Sequence, residues 1–345
     1  MRLRWTVVVP VAVVLTVAGG VLGTPSAPPS PSPEAMTVMA AADPLAQRIE
    51  RAQQRLRDLP GDWQTWAALG VALVERARVT GDPTFYPRAE NALSESLRLR
   101  PSNPEALIGQ GTLANARHDF SGAAKVANEA VSLNPFSSRG YLVLADAYTQ
   151  LGKSELASVA VQQALDLDPG LPALSRAAYD LELRGQITES REMWQRALRQ
   201  AFAPSEVTFV RQQLGDLALS TGDRETARNE YTLAGYKYGL AKLDGNLDLY
   251  AELVAAQPNP TLLAEYAVLL RKANRDADAN SALRLADAAL ALLEANGATD
   301  DLAAAEVALA RGDCAAARAF AQRELDRRTH RDVIRMHQRA SECVS

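Results

Sequence analysis

The chain has 345 residues, with 37 Lys and Arg against 41 Asp and Glu, a formal net charge of −4. Charges of both signs are interspersed with no basic run, which argues against nucleic acid as a partner and against a basic membrane patch beyond the N-terminal segment. Ala, Leu and Arg dominate, aromatic residues make up 6% and no alternating strand pattern emerges, so helix is the expected state. The bias of Arg over Lys reads as codon usage rather than as an arginine site.

Residues 1–23 read as a signal peptide or an N-terminal membrane anchor. Arg2 and Arg4 precede an apolar run from Trp5 to Leu22, the charge order that directs export. Cleavage after Gly23 and retention as an anchor both fit. No Cys follows the run, so lipid attachment there is excluded. Residues 24–42 are rich in Pro and Ser and predict a disordered linker. The remainder, 43–345, reads as one helical repeat domain. It is regular over 63–235 and degenerate over 236–345, where it ends in a closing helix.

Asp43 and Pro44 predict a helix start, with Leu45, Ile49, Ala52 and Leu56 on one face, a cap for the exposed end of the helical domain. From Trp63 onward, small and apolar residues recur at a spacing of about 34. One copy reads Trp66, Leu69, Gly70 and Leu73 and ends at Pro101. The next reads Leu107, Gly111, Ala123, Ala127, Ala130 and Pro135. The cleanest reads Tyr141, Leu144, Ala145, Tyr148, Ala157, Val161, Ala164 and Pro169. A fourth copy slips by one residue around Leu174, Ala178, Trp194 and Ala197, and has Phe202 in place of proline. A fifth holds Leu214, Gly215, Ala218, Ala227 and Tyr231. The first copy carries a long predicted loop from Thr80 to Pro87. Register breaks from Tyr236 to Pro260, where a shortened first helix is expected. It returns at Leu263, Tyr266, Ala267 and Leu270, runs through an Ala-rich helix to Asn296, and closes with a hairpin and a helix over Arg331–Cys343. Fourteen to sixteen helices in total are anticipated.

This pattern resembles the tetratricopeptide repeat (TPR). The resemblance implies an all-α fold, a right-handed α-solenoid of helix-turn-helix repeats whose first helices line the concave side. It further implies an interaction scaffold that binds a protein or peptide in the groove, with no catalytic residues, cofactor or metal. The groove offsets fall on Ile108, Thr112 and Asn115, then on Arg139, Leu142, Asp146 and Gln150, then on Arg176, Tyr179 and Glu182. The Lys and Asn constellation with which some members clamp a terminal carboxylate is absent, since Ala67, Val71, Ile108 and Thr112 stand at those offsets.

With the N-terminal signal, the reading is an extracytoplasmic scaffold, anchored or secreted after cleavage. Its protein partner belongs to the cell envelope, and membrane contact is confined to the N-terminal segment. A small-ligand or glycan receptor and a cell-envelope enzyme are the alternatives. No phosphate-binding glycine loop, nucleophile elbow or HExxH stands in the chain. His118 falls in a solvated turn, and His330 and His337 lie seven apart on one helical face without a third ligand, so no metal site is expected. The two cysteines, Cys314 and Cys343, sit at the start of the last hairpin's second helix and at the end of the antiparallel closing helix. In an oxidising compartment that layout predicts a disulfide.

Overall fold

The computed structural model describes residues 43–343. Among them are eighteen helices and no strand. α1 (Pro44–Asp58) caps the array. Eight hairpins follow: α2 (Trp63–Thr80) with α3 (Phe85–Leu99), α4 (Pro104–Ala116) with α5 (Phe120–Leu133), α6 (Ser138–Gln150) with α7 (Ser154–Leu167), and α8 (Leu171–Leu183) with α9 (Ile187–Gln200). Next come α10 (Pro204–Ser220) with α11 (Arg224–Ala234), α12 (Lys237–Asp244) with α13 (Leu247–Ala256), α14 (Pro260–Lys272) with α15 (Asp276–Ala295), and α16 (Asp301–Arg311) with α17 (Cys314–Arg327). α18 (Arg331–Glu342) closes the chain. The residues expected to form the signal or anchor and the linker, 1–42, lie outside those described. No helix among the described residues is long and apolar enough to cross a membrane.

Local chemistry explains the boundaries. Asp62, Asp119, Asp223, Asp300 and Asp313 each accept a backbone N–H of the helix they precede, a cap worth about 1 kcal/mol. The turn inside a hairpin needs one residue at positive φ, and Gly152, Gly185, Gly222 and Gly312 supply it. His118 (φ 63°) and Asn274 (φ 60°) take the same place without being glycine. His118 is therefore half-buried in a tight turn, stacked 5.5 Å from Phe120, rather than freely solvated.

Packing follows the small residues. Ala89, Ala123, Ala127, Ala130, Ala157 and Ala164 are wholly or almost wholly buried at the helix crossings, where short side chains let axes approach. Larger side chains fill the space between hairpins, among them Leu93, Leu144, Leu174, Trp194 and Tyr231. Each first helix also packs on the second helix of the preceding hairpin, and this nearest-neighbour stacking makes the array a solenoid.

Two local expectations, the first loop and the helix count, change, and a third, the shortened first helix at 236–260, holds. The long loop of the first hairpin is only residues 81–84, because α2 continues to eighteen residues and absorbs the extra length. The break at 236–260 is a complete short hairpin whose first helix, α12, has eight residues. With that hairpin the helix count rises above the anticipated fourteen to sixteen.

The array curls far enough for its end to meet its beginning. Turns of the first three hairpins touch loops from late in the chain. Gln257 lies against Gly81, the Thr299 N–H donates to the Arg117 carbonyl at 3.3 Å, and the Thr329 hydroxyl donates to the Leu151 carbonyl at 3.1 Å. Loops and side chains form this seam; among the described residues no pair of helices packs across it.

Candidate functional site

The inner surface draws on α2, α4, α6, α8, α12, α14, α16 and α18. Its polar residues are arranged as rungs between neighbouring first helices. Arg139 on α6 donates to Glu105 on α4 at 2.6 Å. Arg176 on α8 makes a two-pronged pair with Asp146 on α6, at 3.0 and 2.7 Å. The Asn115 amide donates to the Val143 carbonyl at 3.2 Å while its Oδ1 has no partner. Forks of this kind fix register between repeats.

The residues singled out from sequence divide accordingly. Ile108 is 1% exposed and belongs to the core, so it offers a partner no surface. Thr112 turns its hydroxyl back to the Ile108 carbonyl at 2.8 Å. Leu142 is half-buried on α6. Asn115, Arg139, Asp146 and Arg176 are tied into the rungs. Gln150, Tyr179 and Glu182 face the chain's own later residues.

Those later residues are Arg328, Thr329 and His330, the connection between α17 and α18, and Arg331, the first residue of α18. Arg328 and His330 are only 6% and 4% exposed. The Arg328 guanidinium donates to Gln150 and to Glu324, and lies over the Phe120 ring at 5.1 Å. His330 Nε2 meets the Tyr179 hydroxyl at 3.1 Å, and its Nδ1 accepts the Asp332 N–H at 3.3 Å, so His330 caps α18. It is not on a helical face shared with His337, as the seven-residue spacing had suggested. Arg331 donates to Glu182 at 2.8 Å and lies 5.7 Å over the Tyr179 ring. Burial pushes the Tyr179 hydroxyl up to about 12, and burial pushes His330 below its ordinary value. The signal for this segment was present in the sequence: Arg327, Arg328, His330 and Arg331 form a basic cluster in a chain of otherwise interspersed charge.

Beyond Asp332 the inner surface opens into a cavity of about 610 Å³ between α12 and α14 on one side and α16 and α18 on the other. Val268, Leu269, Leu302 and Met336 provide its apolar wall, and Lys242, Glu265, Arg335 and the Glu306–Arg339 pair its charges. Glu265 accepts from the Tyr238 hydroxyl at 2.8 Å, the Tyr250 hydroxyl at 3.0 Å and Lys242 at 3.0 Å. Tyr231, Tyr236, Tyr238, Tyr250 and Tyr266 run as a chain of rings with centroids 5.5–6.3 Å apart. This chain bridges the short hairpin whose register is irregular. A smaller cavity, about 330 Å³, lies at the other end beside Trp63, Ala67 and Val71, rimmed by Arg48, Glu105 and Arg139. Among the described residues no group of three or more His, Cys, Asp or Glu is placed to hold a metal ion.

Cys314 and Cys343 are joined as a disulfide with Cα atoms 5.5 Å apart. The bond ties the end of α18 to the start of α17.

A family model described as the tetratricopeptide repeat matches residues 84–138 and 110–172. Among solved structures, the chain is similar to a thermophilic TPR protein of Thermus thermophilus, with 24% identity and a TM-score of 0.45 over 56% of this chain and 98% of that one. It is similar to PilF of Pseudomonas aeruginosa, with 17% identity and a TM-score of 0.36 over 69% and 96%. It is also similar to a chain of the APC/C Cut9–Hcn1 hetero-tetramer, with 17% identity and a TM-score of 0.47 over 86% and 53%. No curated protein matches the chain significantly. Stacked hairpins at a spacing of about 34, each turned by one residue at positive φ, together with the family match, show that the chain carries tetratricopeptide repeats over residues 84–172.

Proposed function

We propose that the protein is a non-catalytic, extracytoplasmic scaffold that receives a segment of a partner protein on its inner surface. The observation that carries this is the open cavity between α12–α14 and α16–α18. Its apolar wall of Val268, Leu269, Leu302 and Met336 is flanked by charges of both signs, the lining that suits an amphipathic segment. Export rests on Arg2, Arg4 and the apolar run to Leu22, and the partner is accordingly a protein of the cell envelope.

The test is capture from detergent-solubilised envelopes by the full chain, compared with Val268→Asp and Arg335→Glu. Val268 and Arg335 are exposed, so both variants should keep full helicity while losing the captured partner. Unchanged capture by both would remove the cavity from the binding surface. Mass spectrometry of the mature N-terminus tests export independently. A chain still beginning at Met1 in a cytosolic fraction would overturn the localisation.

A further inference from the structure

The Arg328–Arg331 segment has the features of a bound ligand rather than of a plain connection. Its first three residues are non-helical and Arg331 opens α18; it sits on the inner face of α6 and α8 and reaches residues about 150 to 180 positions earlier in sequence. Two seats receive it. In the first, the Phe120 ring faces a guanidinium and Gln150 accepts from it. In the second, the Tyr179 ring faces a guanidinium and Glu182 accepts from it at 2.8 Å. An aromatic face plus a planar acceptor selects Arg over Lys, because only guanidinium stacks and donates in its plane together. The seats hold residues three apart, with His330 on the Tyr179 hydroxyl between them.

The seam is also built for exchange. Its hydrogen bonds trade for equivalent ones at small net change, and Glu324 keeps Arg327 as a partner when Arg328 leaves. The cavity beside these seats and the open cavity share Leu302 and Asp332 as lining, so one inner surface runs from one to the other.

We propose that Arg328–Arg331 is a resident pseudo-ligand, and that the partner's segment carries an Arg-Xaa-Xaa-Arg motif that displaces it from the α6–α8 seats. This rests on the scaffold reading above and names the chemistry of the partner. Partner and pseudo-ligand compete for Gln150, Tyr179 and Glu182. The open cavity holds the rest of the incoming segment.

The probe is a fluorescein-labelled peptide with the sequence of Leu325–Arg335, titrated by anisotropy into the full chain. Arg331→Ala, at an exposed position, frees the second seat. Binding should be at least about tenfold tighter to Arg331→Ala than to the native chain. It should fall by about tenfold or more when both seat arginines of the peptide are alanine, or when Glu182→Arg is added to the protein. Equal affinity for native and Arg331→Ala protein, indifference to the peptide's arginines, or no binding at all would overturn the proposal. Hydrogen exchange on the native chain gives a second measurement: excess peptide should speed exchange at the Asp332 amide, and unchanged exchange counts against displacement. Peptide failure with partner capture still sensitive to Val268→Asp would sink the pseudo-ligand alone and leave the scaffold standing.

Discussion

Leu93 is the clearest place to test the repeat packing. It is fully buried between two successive first helices. A Cβ built on Gly70 of α2 would lie 2.5 Å from Leu93 Cγ, 2.6 Å from its Cδ2 and 3.2 Å from the Ala89 carbonyl oxygen. The leucine has little room to swing away, because its Cδ2 is held between Gly70 and Gly109 of α4. Gly70→Ala therefore carries two opposed effects. The methyl overpacks the crossing, at about 1–3 kcal/mol. Alanine also favours the helix over glycine by about 1 kcal/mol. The sum is a loss of roughly 0–2 kcal/mol, and the sign alone is weak evidence. A double-mutant cycle separates the effects. Leu93→Ala costs about 2–5 kcal/mol on its own. In that background both leucine clashes are gone and the Ala89 carbonyl oxygen at 3.2 Å remains, so Gly70→Ala should become stabilising by up to about 1 kcal/mol. The coupling is then about 1–3 kcal/mol in favour of the double variant. Urea unfolding followed by circular dichroism and by fluorescence of Trp63 and Trp66 on α2 reads it. A coupling under about 0.5 kcal/mol, or a full helix-propensity gain in the native background, would refute this account of the crossing.

The disulfide closes a separation of 29 residues, for which loop-closure entropy gives about 3.5 kcal/mol. Cys314→Ser with Cys343→Ser should thus speed hydrogen exchange across α18 while leaving α2 to α9 unchanged; uniform loss of protection would show that the bond supports the whole array. Acidification should weaken the seam, since burial holds His330 below its ordinary value near 6.5, with Asp332, Arg328, Arg331 and Arg335 as the charged groups around it and the Tyr179 hydroxyl on its Nε2. A histidine with a lowered folded pKa binds fewer protons folded than unfolded, so its contribution is complete above about 6.5 and is lost as pH falls through the folded value. His330→Asn, which keeps a capping side chain, should flatten that part of the pH–stability curve, and an unaltered curve would remove His330 from the seam.

How much of this was legible in sequence depends on the range of the interaction. The hairpins over 63–235 were readable because each is fixed by contacts between its own two helices, within one repeat: Gly70 with Leu93, Gly215 with Tyr231, Ser190 with the Ala178 carbonyl at 2.7 Å. Such contacts impose a period on the residues that make them. The helix count was missed at α12–α13 because that hairpin is held by a chain of tyrosine rings and by Glu265, a different device from the alanine crossings elsewhere. Its trace in the sequence is five tyrosines within 231–266, a signal with no fixed spacing.

The inner face was legible in position and not in state. Offsets counted along α6 and α8 placed Asp146, Gln150, Tyr179 and Glu182 on one side; in the structure the first three line one cavity and Glu182 pairs with Arg331. They could not show that Arg176 would span to Asp146, or that Arg328 and Arg331 would arrive from the other end of the chain. Nearest-neighbour reasoning, which serves an open solenoid well, contains no rule for a seam. Yet the seam is what turns a list of groove residues into a site with stated chemistry. Unpaired, Glu182 and Gln150 would be two acceptors on a surface. Beside Tyr179 and Phe120, with a guanidinium already seated over each ring, they specify what a competitor must carry.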